Sequence, residues 1–230
     1  MTDAVPLDLR VPPAVTVQAQ TAGKLRDAIL SGHFRPGQRL VESELCRAMG
    51  VSRSSLREAI RQLAGERLVE TVPNRGPTVA EIGWDEAAQI YHVRALLEGE
   101  AAALAAAAGK AEAIARMRAA IKDFDASVRA GEPIARLSST ARFYEGLMAA
   151  CGNAVVTELH AGLLARVTFL RSRSMSRPGR ARHSAAEMRA ILVAVAAGDA
   201  EAARAAAVAH VRAAAAAAQD AMRALNEEAA

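Results

Sequence analysis

The chain has 230 residues, 52% hydrophobic but only 3% aromatic, with a formal net charge of +4. That is apolar mass for one large or two small domains, and the charge is too evenly spread to make the chain a polycation: 11 Lys and Arg stand against 9 Asp and Glu in residues 1–82, and 18 against 16 in residues 83–230. Cys46 and Cys151 have no metal-type spacing, no apolar run is long enough for a bilayer, and residues 1–15 lack a signal-peptide core, so a soluble cytoplasmic protein is expected.

Residues 1–15, with Pro6, Pro12 and Pro13, read as a flexible arm. A helix is predicted from about residue 16 to 30, with Val17, Thr21, Leu25, Ala28 and Ile29 facing inward. Ser31-Gly32 closes it, and a turn follows at residues 34–37. Residues 42–63, ESELCRAMGVSRSSLREAIRQL, read as two short helices. Gly50 ends the first, because glycine tolerates the left-handed conformation that closes a helix. Ser52 is a good N-cap for the second, which continues through Leu56, Ile60 and Leu63 at helical spacing. The second helix carries Arg53, Arg57 and Arg61 four residues apart. Helix, glycine turn, helix is the pattern of a DNA-binding helix-turn-helix, and an arginine fork suits either guanine or phosphate. Two β-type runs, 68–72 and 78–82, flank turn residues 73–77 and predict a hairpin, or wing. Arg75 beside Gly76 at its tip suits a phosphate or minor-groove contact.

Trp84-Asp85 marks a boundary between a DNA-binding unit at 16–82 and a second unit at 83–230. The second unit is rich in alanine, the best intrinsic helix former. Helices are predicted at 85–108 (Asp85 as N-cap), 111–129, 134–150, 155–173, 184–196 and 200–225, with Gly or Pro breaks between most of them. The stretch 171–182, RSRSMSRPGRAR, reads as a solvated basic loop. Arg94 lies in an otherwise apolar helix and needs a partner: Glu98 one turn on, or the carboxylate of a small acid. His33, His92, His160, His183 and His210 fall on five separate elements.

These stretches together resemble the GntR family of bacterial transcription regulators, in its FadR-type subgroup with an FCD effector domain. The N-terminal signature is AILSGHFRPGQRLVESELCRAMGVSRSSLREAIRQLAGERLVETVPNRGPTV. The C-terminal signature is YHVRALLEGEAA at 91–102, RFYEGLMAACGN at 142–153 and AILVAVAAGDAEAARAAAVAH at 190–210. The resemblance implies a mainly α protein: an N-terminal winged helix-turn-helix with a small β wing, then an all-helical bundle for effector binding and dimerisation. It implies DNA contacts from Arg53 and Arg57, with Ser52, Ser54 and Ser55 near the backbone and Gly76 in the wing. Some members carry a DNA-contacting arginine where this chain has Ser43.

Many FCD domains hold a divalent metal with an Asp and a His four residues apart and two later histidines. The matching positions here are Thr140, Tyr144, Met188 and His210, so the metal site reads as lost and no cofactor is expected. By the same resemblance these four positions, with Arg94, line an effector site. Arg94 supplies charge for a small carboxylate, Tyr144 and His210 supply hydrogen bonds, and Met188 packs an apolar side; His210 reads equally as a core histidine. The leading expectation is a homodimeric, ligand-responsive repressor on a short palindromic duplex operator, modulated by a small organic acid and independent of membranes. The alternatives are a helical-bundle enzyme and a DNA-binding protein without an effector. Against the enzyme, the sequence offers no nucleophile–base pair, no Gly-rich phosphate loop and no carboxylate–His metal set.

Overall fold

Helix α1 (Val17–Leu30) starts where the Thr16 hydroxyl accepts a hydrogen bond from the Ala19 amide at 3.2 Å. The computed structural model describes residues 16–73 and 75–229; the arm expected at 1–15 lies outside the described residues. Thr21, Leu25 and Ile29 turn inward as expected and Leu30 joins them, whereas Ala28 is half-buried and Val17, in the first turn, stays exposed. Helices α2 (Glu42–Met49) and α3 (Arg53–Gly65) form the predicted pair. Gly50 closes α2 in the left-handed region at φ 65°, where a side chain is strained. The Ser52 hydroxyl accepts the Ser55 amide at 3.2 Å, a cap worth about 1 kcal/mol. Leu25, Ile29, Leu40, Leu45, Leu56, Leu63, Leu68, Val69 and Val79 form one apolar core beneath the three helices.

The wing is an antiparallel hairpin of β1 (Val69–Val72) and β2 (Gly76–Val79), with Val69 opposite Val79 and Val72 opposite Gly76. The second strand begins two residues earlier than the hydrophobic run suggests and stops at Val79. Its outer edge is taken by chain from the α1–α2 loop: the Leu40 amide donates to Pro77 O at 2.8 Å and the Val79 amide to Gln38 O at 2.9 Å. Arg39 lies opposite Thr78 in this added pairing, which covers an edge that would otherwise be open.

The second unit is a bundle of α4 (Trp84–Ala108), α5 (Ala111–Ala130), α6 (Pro133–Cys151), α7 (Ala154–Arg166), α8 (Thr168–Met175), α9 (Arg180–Ala196) and α10 (Ala200–Ala229). Helix α4 is central and packs on α6, α7, α9 and α10. Small residues let the backbones close in. Ala101, Ala102 and Ala105 share a core with Ala203 and Ala207, and a Cβ on Gly99 would stand 2.9 Å from the Val208 side chain.

Three expectations are corrected. Asp85 lies in the first turn of α4 rather than at its cap, which is Gly83. The helix expected at 155–173 breaks at Val167, which leaves α8 as a separate helix. The supposed basic loop is largely helical, because α8 runs to Met175 and α9 already begins at Arg180. Among the described residues no helix is long and apolar enough to cross a membrane.

Helix α8 also joins the two units. Phe169 belongs to the winged-helix core, and the Ser172 hydroxyl donates to Leu30 O, at the end of α1, at 2.5 Å. Arg166 of α7 pairs with Glu86 of α4 nearby. Beside this seam lies an open cleft of about 920 Å³, lined from both units by Arg35, Arg67, Trp84, Phe169 and Leu225 among others.

Candidate functional site

The first site is a surface. Helix α3 shows Arg53, Ser54, Arg57 and Arg61 to solvent, while its buried side holds it on α1 and α2. The Arg57 Nε lies 3.0 Å from a Glu42 carboxylate oxygen, and Arg61 pairs with Glu58 at 2.8 Å, both in the open. Exposed pairs of this kind contribute about 0–1 kcal/mol and yield readily to a stronger anion. Arg53, at the N-terminal end of α3, is exposed. At the wing, Gly76 takes φ 82° and Arg75 reaches back to Gly37 O at 3.2 Å. Ser55 departs from the expected set: its side chain is buried, 3.0 Å from the Ser52 hydroxyl, and so serves the cap. Ser52 and Ser54 remain at the surface, and Arg39 adds a cation beside the wing that the sequence pattern did not single out.

The second site is a buried polar centre in the bundle. Arg94 of α4 is fully enclosed; its Nε donates to Glu98 Oε1 at 2.8 Å and its Nη2 to the Tyr144 hydroxyl at 3.3 Å. So the first of the two partners considered for Arg94 is present. The same Glu98 oxygen lies 3.1 Å from His160 Nε2 on α7. The Tyr144 hydroxyl is 3.0 Å from His210 Nε2, and His210 Nδ1 is 2.6 Å from Glu187 Oε2. Glu187 in turn takes two hydrogen bonds from Arg180, at 2.7 and 2.9 Å. One hydrogen-bonded chain thus runs from Arg180 through Glu187, His210, Tyr144, Arg94 and Glu98 to His160. Two histidines that are far apart in sequence meet at one tyrosine, 5.0 and 6.3 Å between ring centres.

Arg171 of α8 completes the centre and, like Arg180 and His160, is a residue the sequence reading missed. It is 7% exposed, and its Cζ stands 5.8 Å from the Tyr144 ring centre. Arg94 stands against the same ring at 6.0 Å. Among the described residues no carboxylate pairs with Arg171. Burial, and then the charge of Arg94, makes its guanidinium hold its proton less firmly than usual. Five buried atoms in the bundle also lack partners: Arg94 Nη1, Glu98 Oε2, the Tyr91 hydroxyl, Arg136 Nε and Ser184 Oγ. Of the expected effector residues, Thr140 gives its hydroxyl to Arg136 O at 2.8 Å, and Met188 sits in the apolar core with Tyr144.

A divalent metal finds poor donors at the four matching positions. Thr140 is engaged with backbone, Met188 offers a thioether, and burial pushes the Tyr144 phenol up, away from the phenolate a metal would want. His210 has both ring nitrogens engaged. Among the described residues no group of three or more His, Cys, Asp or Glu side chains could hold a metal ion, and His183, one possible helper, is exposed. The residues present do not fit the metal that the resemblance implies.

Burial by itself would raise the Glu187 carboxyl, but hydrogen bonds from His210 and Arg180 outweigh it and hold it at about 2, against an ordinary 4.5. A carboxyl lowered by folding adds stability that is fully present above its unfolded value and is lost as pH falls through its folded value. Glu187→Gln is therefore expected to lower stability at neutral pH and to flatten the loss between pH 4.5 and 2. Urea midpoints measured across that window check this; parallel curves for the two proteins would contradict it.

Comparison with known proteins covers both sites. Residues 17–79 match the family model of bacterial regulatory proteins of the gntR family, and residues 89–213 match the FCD domain. A helix-turn-helix transcriptional regulator of Agrobacterium vitis is 32% identical over 54% of this chain and 75% of its own length. The Nta operon transcriptional regulator of Aminobacter aminovorans is 36% identical over 45% of this chain and 50% of its own length, so the match spans half of that protein. Among solved structures, a GntR transcriptional regulator of Rhodococcus sp. RHA1 superposes with a TM-score of 0.71 at 27% identity, over 88% of this chain and 97% of that one.

Proposed function

The chain belongs to the GntR family of DNA-binding transcription regulators, in the branch with a C-terminal FCD domain, and on that footing we propose that it is a homodimeric repressor released from a short palindromic operator by a small organic acid. The observation that carries the effector is Arg171. A buried guanidinium packed on the Tyr144 ring, with the charge of Arg94 acting on it and no carboxylate in direct contact among the described residues, favours a closer counter-ion in a low-dielectric site. A carboxylate against Arg171 supplies that charge. Arg94, committed to Glu98, contributes its unpaired Nη1 as a second donor. Tyr144 is held in place by His210, while Thr140 and Met188 form the wall behind it. The site works without a metal.

The path to DNA runs through α8. Arg171 faces the buried centre, and the next residue, Ser172, holds the end of α1. Helix α1 is clamped to α3 by Arg26 and Glu66, whose two hydrogen bonds are each 2.6 Å. An anion that draws on Arg171 shifts α8, hence α1 and the recognition helix, and the open cleft at the seam gives the winged helix room to move. Such couplings are typically worth about 1–3 kcal/mol.

Dimerisation is supported by exposed apolar side chains on two neighbouring helices, Val93 and Leu96 on α4 and Val155 and Leu159 on α7. A twofold dimer presents two recognition helices to a twofold operator. Footprinting on the DNA upstream of its own gene tests the proposal. Protection of two inverted half-sites about one helical turn apart, lost on adding a small carboxylic acid, is expected. A single half-site, or protection indifferent to every acid, would refute it.

A further inference from the structure

Among the described residues, Arg57 differs from the other exposed arginines of α3 in what holds it. Its Nε donates to both carboxylate oxygens of Glu42, the first residue of α2, at 3.2 and 3.0 Å, while its two Nη groups have no partner. Arg61 commits an Nη to Glu58 of its own helix at 2.8 Å, and Arg53 makes no ion pair. Glu42 is also the more sheltered carboxylate, its side chain 29% exposed against 50% for Glu58. Leu45 anchors α2, and Leu56 and Leu63 anchor α3, in one apolar core, so both ends of the Glu42–Arg57 pair stand on firmly packed backbone.

A carboxylate beside a DNA-reading helix weakens binding, because it repels phosphate. Its benefit is orientation. A long, unsupported arginine loses much rotamer freedom on meeting a base, whereas one already tied down has lost it beforehand. Guanine takes a pair of guanidinium N–H groups at O6 and N7. With Nε held by Glu42, the two Nη groups remain for that bond, and the pair need not open when the base is met. Resting on the reading of Arg57 as a base contact, we propose that Glu42 is the positioning residue that points the Nη groups of Arg57 at guanine, raising sequence preference while lowering affinity for duplex of any sequence. Glu44 provides the comparison. It lies in the same first turn of α2, is exposed, and makes no ion pair among the described residues. It shares the charge of Glu42 and its favourable place at a helix start, but not the contact with Arg57.

The test is fluorescence anisotropy of the full chain on labelled operator, as defined by footprinting, and on a scrambled duplex, at one salt concentration. Glu42→Ala, Glu42→Gln, Glu44→Ala, Arg57→Ala and the Glu42→Ala, Arg57→Ala double variant are compared, each first shown to be folded by circular dichroism. Glu42→Ala is expected to lower the preference for operator about fivefold or more per half-site, while it binds scrambled duplex at least as tightly as the wild type. Glu42→Gln, whose amide oxygen still accepts from Nε, should fall between the two. If Glu42→Ala does not fold, Glu42→Gln carries the same test with the same sign. Glu44→Ala should leave the preference unchanged. Adding Glu42→Ala to Arg57→Ala should remove no further preference, because a positioning residue acts only through the side chain it holds. A loss in Glu42→Ala no greater than in Glu44→Ala, or one that persists in full beside Arg57→Ala, would overturn the positioning role and leave the base contact of Arg57 standing. Wild-type preference in Arg57→Ala would overturn that base contact, and the role of Glu42 with it.

Discussion

Replacing Arg53 and Arg57 together by alanine is expected to abolish discrimination between operator and unrelated duplex. Both side chains are exposed on α3, so their loss leaves the winged-helix core intact. A bidentate arginine–guanine contact is worth about 1–3 kcal/mol of discrimination, and two such contacts carry most of what one half-site can offer. The pair between Arg57 and Glu42 does not oppose this, since an exposed pair gives up about 0–1 kcal/mol when its arginine turns to a base. Competition gel shifts on operator and scrambled duplex are the measurement. The double variant should bind both equally, at the level that phosphate contacts alone support. Retention of the wild-type preference would mean that the bases are read from elsewhere.

Arg171→Gln is expected to abolish release by the acid while leaving operator binding in its absence near the wild-type level. The residue touches no part of the DNA-binding surface, and glutamine keeps polar bulk in the centre while removing the charge. Losing the main counter-ion of a buried carboxylate costs about 3–5 kcal/mol, roughly 150- to 5,000-fold in affinity. Circular dichroism first establishes that the variant is folded, and anisotropy of a labelled operator duplex then reads release. Release at the wild-type acid concentration would remove Arg171 from the site and leave Arg94 as the sole candidate.

The DNA-binding half was legible because its signals are local. Gly50 and Ser52 define a turn by their own chemistry, and the spacing of Arg53, Arg57 and Arg61 survives into the fold unchanged. The effector centre was half legible. Arg94 demanded a partner, and Glu98 stood one turn away. Arg171 and Arg180 were hidden because a polar, basic stretch with Pro178-Gly179 looks solvated; Arg171 packs on Tyr144 from α6, a tertiary contact, and Arg180 pairs with Glu187 further along its own helix α9. One signal was available, since Arg180 and Glu187 lie seven residues apart, two turns on one helix face. The break at Val167 had no such marker. It isolates α8, and packing of Phe169 into the winged-helix core accompanies it. His160 was passed over because its partner, Glu98, lies 62 residues away.

The central claim is that the buried centre and the operator surface are coupled through α8. It is tested most directly by measuring the affinity of the best-binding acid twice, on the free protein and on its operator complex. Coupling is reciprocal, so the factor by which the acid weakens DNA binding must reappear as the factor by which DNA weakens acid binding. The account predicts a factor of roughly 5–150, reduced towards one by Ser172→Ala, which cuts the hydrogen bond to Leu30 O. Equal acid affinity with and without operator would contradict it.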